Sequence, residues 1–152
     1  MSNSNAKGAV MEVKQIIESF RRVLTEHYAD FQGRAARTTF WHYILVYLVL
    51  SILLDILGIR LLSTVVGLAL LVPTLAISVR RLHDVNKSGW LVLVPTIPAF
   101  LTVSLFYLFW PLGVVFALAT VACSAYLIYL YVLPGTAGPN QFGPDPKGVA
   151  AA

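Results

Sequence analysis

Between two long apolar runs lies a polar stretch, "RRLHDVNKSGW" from Arg80 to Trp90, that gathers two arginines, a histidine, an aspartate and a lysine. Side chains of these types could do several kinds of chemistry. Arginine pairs grip phosphate or carboxylate through parallel N–H donors. A histidine beside an aspartate, as His83 and Asp84 are, can supply a base or a metal ligand. The chain has only His27, His42 and His83, too few with its aspartates for the ligand set of a metal-dependent hydrolase. No catalytic residue, metal or cofactor is therefore assigned, and enzyme activity is disfavoured. Each residue also has a structural use. Arg80 and Arg81 would complement a helix C-terminus; Asp84, Asn86 and Ser88 would turn the chain and cap the next helix. Gly89 would free the turn, and Trp90 would anchor the following span at an interface.

The elements that must position this stretch follow from composition. The chain has 152 residues, 58% of them hydrophobic and 12% charged, with a mean hydropathy of +0.77. That is too apolar for an ordinary soluble domain. The apolar residues form four blocks, Phe40–Leu57, Leu61–Val79, Leu91–Phe109 and Leu112–Leu133, each near the roughly 20 residues a helix needs to cross about 30 Å of hydrocarbon. None alternates as a membrane strand would. The expected fold is all-α, an integral membrane four-helix bundle with an N-terminal amphipathic interfacial helix and an irregular Pro/Gly-rich tail. Residues 1–29 are a disordered start (1–8) plus the amphipathic helix, 30–148 the four-span domain with its polar motifs, and 149–152 a tail.

Charge sets the topology. Lys7, Lys14, Arg21, Arg22, Arg34, Arg37, Arg80, Arg81, Lys87 and Lys147 share one face, and only Arg60 lies on the other. The positive-inside tendency then puts both termini in the cytoplasm. Because the basic excess flanks spans and lacks the interleaved aromatics that stack bases, nucleic acid is excluded as a partner. No apolar leader precedes the first helix, so no signal peptide is expected. Lone Cys123 falls inside the fourth block and reads as packing.

Local readings complete the outline. Val10, Val13, Ile16, Ile17, Phe20, Val23 and Leu24 recur with helical spacing, and Glu18 and Arg22 are placed for an i,i+4 pair. Thr38 or Thr39 is expected to cap the first span, with Trp41 and His42 at headgroup depth. Asp55 and Arg60 are expected to snorkel and to pair. Pro73, Pro95 and Pro98 can kink their spans, while Gly113, Ala117, Ala122 and Ala125 offer a small-residue packing surface. The tail, "LPGTAGPNQFGPDPKG" from Leu133, reads as flexible; Asn140, Phe142 and Asp145 leave open a fold back onto the cytoplasmic face.

Three motifs, "FQGRAARTTFW", "RRLHDVNKSGW" and "GPNQFGPDP", in this order around four apolar spans, resemble the bacterial inner-membrane family DUF805. The resemblance covers roughly Tyr28 to Lys147 and leaves out the N-terminal helix. It implies a small multi-pass protein of the bacterial cytoplasmic membrane. Its motif positions here are Gly33, Arg34, Arg37, Trp41, Arg80, Arg81, His83, Asp84, Ser88, Gly89, Trp90, Asn140, Gly143, Asp145 and Pro146. The family has no established activity, so no catalytic role transfers. With Lys87, these positions are the candidates for a cytoplasmic clasp in which Asp84 or Asp145 pairs with Arg34, Arg37, Arg80 or Arg81. Such a cluster would also contact anionic phospholipid headgroups, a membrane-protein partner or a second copy of the chain. A small-solute transporter or channel component, and a membrane enzyme acting on a phosphorylated or lipid substrate, are the alternatives.

Overall fold

The computed structural model describes residues 2–149. It is all-α, and four helical segments are long and apolar enough to cross a membrane: Arg37–Ile56, Arg60–Asp84, Gly89–Phe106 and Trp110–Val132. In chain order the elements are α1 (Ser2–Thr25), α2 (Arg37–Ile56), α3 (Arg60–Asp84), a 3-10 helix (Gly89–Leu93), α4 (Thr96–Phe106), α5 (Trp110–Val132) and a short α6 (Pro146–Val149). The chain is a multispanning membrane protein. Its spans present leucine, valine, isoleucine and phenylalanine outward along most of their length, as lipid requires and water would not allow.

Several expectations need correction. Helix α1 already runs from Ser2, so the polar start expected to be disordered belongs to it; adding turns to a formed helix costs far less than starting one. The i,i+4 pair on α1 is Arg22 with Glu26 at 3.4 Å, and Glu18 lies instead 3.9 Å from Arg21. Neither Thr38 nor Thr39 caps α2; Ala36 holds that position without a side-chain bond. Ser88 precedes the 3-10 helix, also without a capping bond. Asp55 accepts from Ser63 Oγ at 2.8 Å instead of pairing with Arg60. The third span is not one helix, because Pro95 precedes α4 and Pro98 stands in its first turn. There a missing amide breaks no intrahelical bond, so the two prolines start the helix and do not kink it.

Pro73 is different, being buried within α3. A proline there deprives the carbonyl four residues back of its donor. That carbonyl is Ala69 O, and the Tyr28 hydroxyl donates to it at 2.6 Å.

Two hairpins make up the bundle. Helices α2 and α3 reverse through Gly58, whose φ of +70° is available at little cost to glycine. Helices α4 and α5 pack so closely that a Cβ on Gly113 would lie 2.7 Å from Phe106 Cα. Helix α1 lies on the first hairpin, with the Phe20 ring stacked 5.2 Å from that of Tyr43. The buried apolar residues gather toward one end of the bundle. Val23, Ala35, Phe40, Tyr43 and Ile77 form one cluster and Leu82, Leu127 and Leu130 a second, and Tyr131 packs against both. At 25 residues, α3 is about 37 Å long. It exceeds the hydrocarbon layer of about 30 Å, and because its last turns carry Arg80, Arg81 and Asp84, which lipid disfavours, the excess falls at this end.

Candidate functional site

The projecting end of α3 carries Arg80, Arg81, His83 and Asp84 on helical backbone, so the polar stretch begins as helix and turns only afterwards. The turn is made at Asn86, at φ +56°, a conformation asparagine tolerates better than most residues.

Asp84 is 3% exposed, and a buried carboxylate needs partners. Its Oδ1 accepts from Arg34 Nε at 3.0 Å and lies 2.9 Å from Arg34 Nη2. Its Oδ2 accepts from Arg81 Nη1 at 2.5 Å. Two arginines against one carboxylate leave a buried positive charge. Backbone carbonyls answer it. Arg34 donates to Thr136 O at 2.5 Å, Gly138 O at 2.6 Å and, more weakly, Gly143 O at 3.4 Å. Arg81 donates to Tyr131 O at 3.1 Å and to Leu133 O. Arg37, from the start of α2, donates to Val132 O at 3.2 Å.

The last carbonyls of α5 have no intrahelical donors, and the helix has no basic residue in its final turn. Arginines from α2 and α3 supply the missing donors and the positive charge that a helix C-terminus favours. Thus Asp84 pins a segment before α2 to the end of α3, and the two pinned arginines hold the end of α5 and the tail.

The tail folds back against this pin. Thr136 donates through its amide and hydroxyl to Asp84 O at 2.8 and 3.0 Å. Asn140 Nδ2 donates to His83 O at 2.9 Å, and the Phe142 ring stacks on His83 at 3.9 Å. His83 Nδ1 lies 3.0 Å from Gly33 O; a carbonyl only accepts, so Nδ1 carries the proton. The flexible tail read from composition is therefore an ordered loop, with an isolated β-bridge between Asn140 and Gly143. Among the described residues, Asp145 forms no ion pair with an arginine. It accepts the amides of Lys147 at 2.9 Å and Gly138 at 3.2 Å. The Lys147 amide, helped by the Gly138 amide and the Arg34 charge, holds the Asp145 carboxyl below the usual aspartate value against the opposing effect of desolvation.

The remaining predicted site residues stand around the pin. Gly33 adopts φ +72° where the α1–α2 connection bends to meet His83. Gly89 abuts α3, where a Cβ would meet Val79 Cγ1 at 2.5 Å. Lys87, Ser88, Trp41 and Trp90 are exposed at the rim. Arg80 joins no ion pair among the described residues; its carbonyl accepts the Ala35 amide at 3.0 Å. Pro146 opens α6. Sequence reasoning missed Gly135, where a Cβ would fall 2.2 Å from Asp84 Oδ2, and the tail carbonyls that solvate Arg34. The density of glycine and proline was the available signal, since such a segment cannot pair its own carbonyls. It also missed Asp30, whose carboxyl burial would raise but which bonds from the Gln32 amide and His27, with the Arg80 charge, hold below its ordinary value. No group of three or more His, Cys, Asp or Glu side chains among the described residues could hold a metal ion.

Fold and site together define a four-span helical membrane protein locked at one end by a buried Arg–Asp–Arg pin. The chain belongs to the family described as "Protein of unknown function (DUF805)", which it matches over residues 28–144. Inner membrane protein YhaH of Escherichia coli (strain K12) is 33% identical over 132 residues, covering 80% of this chain and 91% of that protein. Inner membrane protein YhaI of the same strain is 30% identical over 128 residues, covering 80% of this chain and 90% of its own length. No solved structure matches.

Proposed function

We propose that this chain is a protein of the inner membrane, with both termini and all three motifs on the cytoplasmic side. There the motif cluster is a structural clasp that presents a contact surface for anionic lipid or a membrane-protein partner. The observation that carries the clasp is Asp84, 3% exposed and shared by arginines from two segments distant in sequence. The names of the relatives and the bias of ten basic residues to one face support the placement.

A double-mutant cycle between Arg34 and Asp84 tests the clasp. Removing one partner of a buried pair costs about 3–5 kcal/mol, so Arg34→Gln and Asp84→Asn should each lower the melting temperature in detergent, and the double variant should fall well short of the sum. Additive losses would remove the clasp. The placement is tested with Lys87→Cys in a Cys123→Ser background. An impermeant maleimide should label it only after the inner membrane is opened.

A further inference from the structure

The pin leaves one arginine of the polar stretch, Arg80, outside any ion pair among the described residues, with Asp30 acting on it only through its charge. Arg80 Nε is buried and has no hydrogen-bond partner among the described residues, and the Nη2 bond to Arg34 O is long, at 3.4 Å. A buried guanidinium donor left unmatched is costly. Arg80 lines an open cavity of about 490 Å³ bounded by α1, the α1–α2 connection, the start of α2, α3 and the tail. Ser19, Arg22, His27, Arg34 and Thr39 also line it, and no Asp or Glu is among its lining residues. The nearby acids are already engaged: Asp84 by Arg34 and Arg81, Asp30 by His27 at 2.9 Å, Glu26 by Arg22 at 3.4 Å, and Asp145, between the lining Pro144 and Pro146, by the Gly138 and Lys147 amides.

We propose that this cavity binds a phosphoryl group, with Arg80 as its principal ligand and Arg22 and Thr39 as donors at its walls; the Ser19 hydroxyl lines it but donates to Gln15 O at 2.8 Å. Arg80, with Arg22 and the Thr39 hydroxyl beside it and no carboxylate in the lining, matches an oxyanion with several acceptor oxygens; Arg34 is committed to Asp84 and the tail carbonyls and adds only its charge. Van der Waals volume does not limit the choice, since the cavity is far larger than one phosphate and has room for the ester it belongs to. The apolar residues Val10, Val13 and Ile17 of α1 are 68, 54 and 59% exposed, so the helix that walls the cavity also offers a face to acyl chains. This assignment deepens the reading of the motif face as an anion contact surface and rests on it. The phosphoryl group can come from a phospholipid headgroup or from a soluble phosphate ester.

The full-length protein in a phosphate-free maltoside detergent is titrated with short-chain phosphatidylglycerol, with inorganic phosphate and with short-chain diacylglycerol as the phosphate-free control. Binding is read by calorimetry and melting temperature. The expected result is saturable binding of phosphatidylglycerol and none of diacylglycerol, with affinity falling about tenfold or more in Arg80→Gln, less in Arg80→Lys, and by a smaller factor in the wall variant Arg22→Gln. Competition by inorganic phosphate assigns the site to soluble phosphates as well; its failure to compete assigns the site to the headgroup. Binding of neither phosphate probe, equal binding of diacylglycerol, or unchanged affinity in a folded Arg80→Gln or Arg22→Gln protein overturns the proposal. Coupling between Arg34 and Asp84 that persists without phosphate binding leaves the clasp standing and removes the cavity assignment alone.

Discussion

At the scale of single residues, the pin depends as much on what is missing as on what is charged. Gly135 lets the tail pass over Asp84, and a methyl group there would meet both carboxylate oxygens, at 2.2 and 2.9 Å. Gly135→Ala should therefore destabilise by about 1–3 kcal/mol, seen as a lower melting temperature in detergent, although no polar group is lost. Asp145 works differently, as a clip between the Gly138 and Lys147 amides. Its folded carboxyl lies below the usual value. The contribution it makes is thus fully present above the unfolded value near 3.9 and is lost as pH falls through the folded one. Hydrogen exchange in the tail should accelerate over that acidic range, after correction for the intrinsic rate. Asp145→Asn should exchange fast at higher pH as well and show no such transition. That one of the two acids would meet arginine was legible from topology alone. Which one was not, because the answer turns on Gly135 and on carbonyls that carry no side-chain signature.

At the scale of elements, hydropathy located all four spans to within a few residues, since a bilayer forces apolar length on whatever crosses it. It could not show how the helices begin and end. Caps at α2 and before the 3-10 helix use no side chain, and proline marks a start in one span and an interruption in another. The interruption in α3 gives a test. Tyr28 donates to Ala69 O, the carbonyl that Pro73 leaves without an amide. Tyr28→Phe should cost about 1 kcal/mol. In a Pro73→Ala background, which restores the amide, the same change should cost measurably less in melting temperature. An equal loss in both backgrounds would mean that the hydroxyl serves some other purpose.

At the scale of the whole molecule, the two hairpins meet through few apolar contacts. Helix α5 reaches α3 where Leu127 and Leu130 pack on Leu82, close in sequence to the pinned Arg81 and Asp84. In lipid, apolar side chains gain little by choosing a helix over an acyl chain, so polar contacts at the end of the bundle have greater weight than in a water-soluble protein. The sequence told which segments share a face; it could not tell that the tail would complete their hydrogen bonding, because its composition matches that of a linker. The tail's order should then depend on Arg34, which contacts the carbonyls of Thr136, Gly138 and Gly143. Chymotrypsin should cut slowly after Phe142 in the native protein, where the ring stacks on His83. Arg34→Gln removes donors from three carbonyls and one side of the Asp84 pair, and cleavage there should quicken several-fold, while the spans keep their helical circular dichroism. Unchanged cleavage would mean that His83 and Asn140 hold the tail without the pin, and that the arginines serve the helices alone.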